Sequence, residues 1–571
     1  MGAAIIVLGP GALAVARQLR ERLPGSAIHG LRDRVGDDVD VPYEQFGRHL
    51  CELHAAGTPI VAICAAGIVI RALAARVAGA QKDADPAVLA VAEDGSAVVP
   101  LLGGLSGVND LAREIGAALG VAPAITTSGE LRFGACLLDP PEGYALASLD
   151  EGKRFVSDLL AGAPVRISGE APWLEPLRFT RTDDAARVIR ITPQAGDGEA
   201  GELRIHPRSV AVAIDCDRED ADALERDVGA ALDRCGLARR SLATLIAPRR
   251  HMRRAALREA ATRLGAAVRY VEIEHDAAPS QWLACGLPAP YRLAEESPTL
   301  AIAVAPSPLD PAQIGQARGS VAVVGLGPGS RDFMIPAARA ALERATDILG
   351  YSTYVEMAGP LGPHQRAHGT DNREEMQRAR HAFALASEGR HVAIVSSGDP
   401  GIFAMAAAVL EALESAADPA WHDVELTILP GVSAAIATAA MAGAPLGHDF
   451  CLISLSDNLK PWDVIEKRLR LAAEADLVMG FYNPISKARP WQLERALELI
   501  RMYHDSNTPV VLGRDIQRPG ARLVSLSLGE LTADQVDMRT TVIVGSSTTR
   551  RFPRDDASDW VYTPRWYPAP N

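Results

Sequence analysis

Aromatic residues are scarce in this 571-residue chain: Phe, Trp and Tyr together make up 5% of it. Cysteine is scarcer, with seven residues and no CxxC pair. An odd, scattered set argues against a disulfide framework or a zinc knuckle, so no metal site is expected. It points instead to reduced thiols in a cytoplasmic protein. Positive charge is in deficit, with 58 Lys and Arg against 71 Asp and Glu and a formal net charge of −13. General nucleic-acid binding needs a net basic surface, so nucleic acid is not an expected partner. A small anionic substrate stays open, because a local arginine cluster can override the global sign. Long apolar runs are also missing. No stretch reaches the ~18 unbroken apolar residues that read as a membrane span. The opening MGAAIIVLGPGALAVARQLRERL has no basic segment before its apolar run, which reads as strand, turn and helix and not as a signal peptide. Ile6 stands where a myristoylation motif needs Ser or Thr.

What is abundant is aliphatic. Hydrophobic residues make up 48% of the chain, enough for several cores, and the length predicts three or four domains at ~150 residues each. Residues 1–134 alternate helical patterns with short apolar runs (AAIIVLG, PIVAICA, AVLAVAE, AVVPLLGG, PAITTSG), which predicts an α/β domain. Residues 135–207 carry a weaker pattern and read as a small α+β segment. Residues 208–306 resume with strands in SVAVAIDC, RSLATLIAP and AVRYVEI around two amphipathic helices. SPLDPAQIGQARGS, 307–320, is rich in Pro, Gly and Ser and is the predicted linker. Residues 321–571 form the last α/β region, with two lobes at about 321–444 and 445–571. The expected fold class is therefore α/β and multi-domain.

The last region opens with VAVVGLGPGS, an apolar run followed by a loop with Gly325, Gly327, Pro328 and Gly329. A dinucleotide fingerprint needs a third glycine where Ser330 stands, and Pro328 removes an amide donor where phosphate would be gripped. An NAD-dependent oxidoreductase is accordingly the poorest reading. Three further apolar runs end in chemically informative turns. VAIVSSGDPGIF places Asp399 and Pro400 after a strand, VELTILPGVSAA places Ser433 after Pro430-Gly431, and ADLVMGFYNPIS places Tyr482, Asn483 and Pro484. Asp399 has two readings, a pocket ligand or the cap of a helix with Pro in its first turn. Ligands of α/β proteins collect where strands end, so these turns predict one shared crevice.

Taken together, VGLGPG, SSGDPGIFAMA, LPGVSAA, GFYNPISKARPWQL and DMRTTVIVGSSTTR resemble, in order and spacing, the tetrapyrrole (precorrin) methylases. YSTYVEM and the ending TPRWY narrow the resemblance to the precorrin-3B C17-methyltransferases, the ring-contracting enzymes of cobalamin synthesis. The resemblance implies a two-lobed fold with S-adenosylmethionine between the lobes, an anionic tetrapyrrole substrate and a homodimer. It implies donor contacts at Pro328, Gly398, Asp399, Ile402, Ser433, Ala434, Tyr482 and Thr541, with Gly327 on the tetrapyrrole side. A substrate rich in carboxylates calls for basic neighbours. Arg331, Arg489 and Arg550 are the candidates carried forward, beside Arg373 and Arg514; His448 is a lesser one. No catalytic triad is required, and no catalytic residue is assigned.

The front region has its own resemblance. CAAGIVIRALA, KDADPAVLAVAEDGSAVVPLLGG, GVNDLAREI and ITTSG resemble the cobalt-precorrin-5A hydrolases, which open a lactone and release acetaldehyde. That family reads Gly-Gly-His before its Gly-Ala-Asn; here Leu105 and Ser106 follow Gly103-Gly104. Leucine can neither shuttle a proton nor donate a hydrogen bond, so little hydrolase activity is expected unless Lys82, Asp83 or Thr126 carries it. Residues 208–306 resemble that family's C-terminal domain only loosely. The front region is thus an active hydrolase, a decayed one, or a holder of labile intermediates.

Overall fold

The computed structural model describes residues 2–567 apart from 24, 37–38, 79–84, 197, 217–219, 275–276, 289, 363, 372–373, 487–488 and 555–557. The chain separates into two compact units. One comprises Met1–Arg318 with Gly362–His364, the other Gly319–Leu361 with Gln365–Asn571.

The first unit holds three successive sheets. The first has six strands, in the order Val41–Tyr43, Ala27–Leu31, Ala4–Val7, Ile60–Ile63, Val88–Val91, Val98–Leu102. All pairs are parallel except the last. Strands such as Ile60–Ile63 are apolar throughout because both faces are covered. The second sheet has four strands between Tyr144 and Pro207, and the third has five between Val210 and Val304. One expected strand is absent: PAITTSG runs as irregular chain into the helix Ser128–Phe133. Its run is too short and too polar at the end to join the sheet, and Ala124 N donates a single bond to Val98 O. The stretch read as a linker is fastened down. Ile314 is fully buried, and Gln316 and Tyr270 exchange two 2.8 Å backbone bonds. Leu309 and Ile314 are the apolar anchors that its Pro- and Gly-rich composition obscured.

The second unit has two main sheets. In the first lobe five parallel strands run in the order Arg366–Thr370, Asp347–Tyr351, His391–Ser396, Ser320–Gly325, Glu425–Leu429. Val321, Val323 and Ile394 pack one face against Phe383 and Val409. The second lobe is mixed, in the order Phe450–Ser454, Val478–Tyr482, Thr540–Val544, Pro509–Arg514, Arg522–Ser527. Its core includes Phe481, Leu497 and Val542. A small third sheet pairs Gly443–Ala444 with Asp559–Tyr562 and Arg550–Pro553. The strand Ser320–Gly325 lies between His391–Ser396 and Glu425–Leu429, so the loops after all three emerge side by side.

Candidate functional site

Four glycines let those loops touch. A Cβ on Gly431 would lie 2.2 Å from Gly398 O, and one on Gly325 would lie 2.7 Å from the same oxygen. Gly327 and Gly398 take φ values of 75° and 71°, a region that glycine enters without strain. They face each other as a two-residue bridge, with Gly398 N donating to Gly327 O at 2.7 Å and Gly327 N to Gly398 O at 3.2 Å. The Leu326 and Gly327 amides are engaged with the end of the neighbouring strand and its loop, at Ser396 O and Gly398 O, and Pro328 has no amide to offer a phosphate. Pro328 is buried beside this bridge.

Asp399 is not a helix cap. The helix begins only at Met405, with Ala404 as its cap residue, because Phe403 sits at φ 54° and breaks the helical path. The carboxylate instead braces two loops: Oδ1 accepts from Gly401 N at 2.8 Å and Oδ2 from Gly431 N at 3.0 Å. Ile402 is half-buried in the same turn. Ser433 is the cap of the helix Ala434–Ala442, its Oγ accepting from Ile436 N at 3.4 Å. One residue into that helix, Ala435 N donates to Tyr482 Oη at 3.0 Å, so the second lobe reaches the first. The Tyr482 ring stands 5.5 Å from that of Phe403, which is 50% exposed and available to a ligand. Thr541 is buried on its strand opposite Gly513, and Thr540 Oγ1 donates to Asp537.

Strain concentrates here. Among the described residues five non-glycine residues have positive φ: Phe403, Asp476, Asn483, Asp515 and Gln517. All but Asp476 lie on strand-end loops of this crevice. Such conformations are costly and persist only where the surroundings enforce them.

The arginines are not brought together. Arg489 is buried and donates to Asn483 O at 3.1 Å, holding the loop after Tyr482. Arg514 is paired with Asp537 at 2.9 Å and Asp515 at 3.1 Å. Arg331 donates to Ala358 O at 3.3 Å. Arg550 is on the small third sheet, 5.9 Å from the Trp566 ring. Arg373 lies outside the described residues. His448 Nδ1 accepts from Asp449 N at 2.7 Å and its ring packs on Tyr567, the arrangement of a satisfied loop histidine. The residue that sequence reasoning missed is Arg518. Its Nε donates to Pro328 O and its Nη2 to Ser397 Oγ, both at 2.8 Å. The available signal was RDIQRPG, a fifth turn after a strand, Pro509–Arg514. Arg518 also lies near Tyr354; burial raises that phenol's pKa, and the guanidinium pulls against the rise.

In the first unit, Ser106 Oγ donates to Asp85 O at 2.7 Å, and Asn109 Nδ2 donates to Thr127 Oγ1 at 3.0 Å and Glu130 Oε1 at 2.5 Å. His54 and Asp85 form a buried pair at 3.3 Å. Leu105 is half-buried and Thr126 exposed, while Lys82 and Asp83 lie outside the described residues.

The sequence pattern of the family described as Tetrapyrrole (Corrin/Porphyrin) Methylases matches residues 320–532, and that described as Cobalamin synthesis G N-terminal matches residues 48–130. A precorrin-3B C(17)-methyltransferase of Sinorhizobium sp is 53% identical over 250 residues, which are 44% of this chain and 97% of that one. The chain belongs to the tetrapyrrole methylases. As a tetrapyrrole methylase it is a methyltransferase, and S-adenosylmethionine is its methyl donor. The cobalamin biosynthesis protein CobIJ of Mycobacterium tuberculosis (strain ATCC 25618 / H37Rv) is 49% identical over 256 residues, 44% of this chain and 49% of that protein. A crystal structure of the methyltransferase CobJ, 50% identical, covers 43% of this chain and 100% of that one, with a TM-score of 0.41. The methylase crevice fits such a donor. Small residues at 431 and 433–435 keep backbone close to the surface, Asp399 and Ser433 supply polar groups, and Phe403 offers an aromatic face.

Proposed function

We propose that this chain transfers the methyl group of S-adenosylmethionine to carbon 17 of precorrin-3B, with ring contraction, in cobalamin biosynthesis. The observation that carries this reading is the junction of four strand-end loops, at 327–328, 398–403, 431–435 and 482–483, tied to one another by the Gly327–Gly398 backbone pair and by the side chains of Asp399 and Tyr482. Pro328, Gly398, Asp399, Ile402, Ser433, Ala434, Tyr482 and Thr541 are the proposed donor contacts. Gly327, Arg331 and Arg550 are proposed on the substrate side. Arg489, buried against Asn483 O, contributes by holding that loop.

The donor supplies a methyl group already activated by a positively charged sulfur. The chain's part is alignment and exclusion of water. Fixing two reactants in a near-attack arrangement can supply roughly 7–11 kcal/mol of a barrier without a proton-transfer residue. Here the braces from Asp399, Tyr482 and Arg518 fix the loops before ligands arrive, so little ordering entropy is left to lose.

For the first unit we propose a hydrolase-like domain that holds an intermediate without opening its lactone, because Leu105 offers no acid–base group. The loss of such a group typically costs about 10²–10⁴-fold. The reading extends to a homodimer in the cytoplasm. The test is incubation of the full chain with precorrin-3B and S-adenosylmethionine, followed by mass analysis. One added methyl is expected; an unchanged mass rejects the methyltransferase assignment. Cobalt-precorrin-5A supplied to the same chain should yield no acetaldehyde, and release at an enzymatic rate would reject the holding role.

A further inference from the structure

We propose that Arg518 binds a carboxylate of the ligand held between the two lobes, so that the side chain that already ties the lobes together also recognises the anion. The proposal rests on the methyltransferase reading and adds a ligand group and its receptor to it.

The residue spans the crevice. It stands on the second-lobe turn after Pro509–Arg514, and its two contacts, Pro328 O and Ser397 Oγ, are on separate first-lobe loops. Both partners are neutral. Among the described residues no carboxylate forms an ion pair with Arg518, although it is half-buried in a chain with an excess of acids. Its neighbours differ: Arg514 and Arg539 share Asp515, at 3.1 and 3.3 Å, and Asp537. Withdrawing a charge from water without a counter-charge is costly, and proteins pair such groups. Guanidinium has five donors in a planar fork that suits a carboxylate. With Nε and Nη2 committed to the first lobe, Nη1 remains for a ligand.

The turn is built to hold this side chain. Asp515 and Gln517 both take left-handed φ values, 49° and 63°. Gly329 is required opposite, since a Cβ there would sit 2.3 Å from Arg518 Cγ. Two backbone concessions and a glycine around one guanidinium are more than a surface ion pair would enforce.

The carboxylate has two possible sources in the proposed reaction, the acid arms of the tetrapyrrole and the amino-acid end of the methyl donor. The experiment compares full-length wild type with Arg518→Gln and Arg518→Lys. It reads KM for precorrin-3B, kcat, and Kd for S-adenosylhomocysteine and for its decarboxylated analogue. Loss of a hydrogen-bonded charge contact should raise the affected constant roughly 10- to 100-fold in Arg518→Gln. A rise confined to precorrin-3B KM identifies a tetrapyrrole arm. A rise in S-adenosylhomocysteine Kd, absent with the decarboxylated analogue, identifies the donor. Arg518→Lys should recover part of either loss. A role limited to bridging the loops would instead lower melting temperature and affect both analogues equally, and that result overturns the proposal. So does a change below threefold in every constant. If Arg518→Gln does not fold, the same thresholds apply to Arg518→Lys. Wild-type chain that leaves precorrin-3B unmethylated removes the parent reading, while the two homocysteine ligands still report on Arg518.

Discussion

At Gly104, in the front unit's loop after Val98–Leu102, an added Cβ would meet nothing within 4 Å, although at Gly103 beside it one would lie 2.4 Å from Pro86 O; at Gly431 it would meet Gly398 O at 2.2 Å. The two glycine-bearing loops both follow a strand, yet they are held differently. In the front unit one brace, Ser106 Oγ to Asp85 O, joins the glycine loop to another, and the remaining buried polar groups close on one cluster: Asn109 with Thr127 and Glu130, and Glu130 in turn with Arg113. In the methylase unit each brace joins separate loops: Asp399 reaches Gly431, Tyr482 reaches Ala435, Arg518 reaches Pro328 and Ser397. The five strained non-glycine residues found among the described residues are all in that unit. Polar groups that satisfy one another locally hold a fold. Polar groups that fix several loops at once, against backbone strain, hold a site ready for a ligand.

The sharpest way to break this comparison is to add one methyl to each loop. Gly431→Ala forces backbone against backbone, a contact that no side-chain rotation relieves. Methyl transfer and S-adenosylhomocysteine binding should fall by at least about 100-fold, equivalent to about 2.7 kcal/mol. Gly104→Ala should stay within about 0.5 kcal/mol of wild type in stability, as unconstrained surface substitutions do. Calorimetry and ligand titration on the two variants check both sides. Comparable effects from the two would mean that position 431 is no more constrained than the open position 104.

Asp399 gives the next largest effect. Asp399→Ala strands Gly431 N and Gly401 N, each formerly bonded to a charged acceptor. Hydrogen bonds to charged groups contribute about 1.5–3 kcal/mol, so S-adenosylhomocysteine Kd should rise roughly 10- to 100-fold. Asp399→Asn keeps one carbonyl acceptor and should fall between. A lowered melting temperature with unchanged Kd would reduce Asp399 to a loop brace outside the pocket.

Much of this was legible in the sequence. Parallel strands announced themselves as apolar runs such as IVAI and VAVV, and the turns after three of them carried the residues that the fold brings together. At Asp399 the sequence left two readings open, a pocket ligand and a helix cap, because Asp-Pro after a strand is an ordinary helix start; the positive φ of Phe403, invisible in sequence, delays the helix to Met405 and removes the cap. PAITTSG lies beside the edge strand Val98–Leu102 but makes one bond to it, because its apolar run is short and gives way to polar residues. Ile314 is one apolar residue in a Pro- and Gly-rich stretch, so its burial could not be seen. Arg518 was missed because an arginine in a turn looks like any other until its partners, 190 and 121 residues away, are known. Local periodicity reports the elements; contacts across such separations, which make the site, leave little trace in it.

The front unit's polar packing includes an acid-sensitive histidine pair, and it carries the smallest predicted effect. His29, 8% exposed, has Nδ1 2.8 Å from His49 Nε2, and the His49 ring stacks on Tyr43 at 4.7 Å. Burial, and then the charge of His49, push His29 down to about 3, against an opposing pull from Asp40. Burial lowers His49 too. Asp40 offers little rescue, since its carboxylate already accepts from Ile28 N at 2.9 Å and pairs with Arg20 at 3.2 Å. The folded state therefore keeps His29 neutral, whereas the unfolded chain protonates it near its ordinary value of about 6.5. Above that value the two states bind equal numbers of protons at this site and stability is unaffected. As pH falls from about 6.5 toward 3, the unfolded state binds the extra proton, and His29 removes about 1.4 kcal/mol of front-unit stability per pH unit. Hydrogen exchange at the amides of Ala27–Leu31, corrected for intrinsic rates, should show protection declining below pH 6.5. His29→Asn should flatten that decline, because asparagine can keep a hydrogen bond to His49 without titrating. If the slopes of wild type and variant coincide, the pair is solvated enough to protonate in place, and the front unit's polar groups are no drier than a surface.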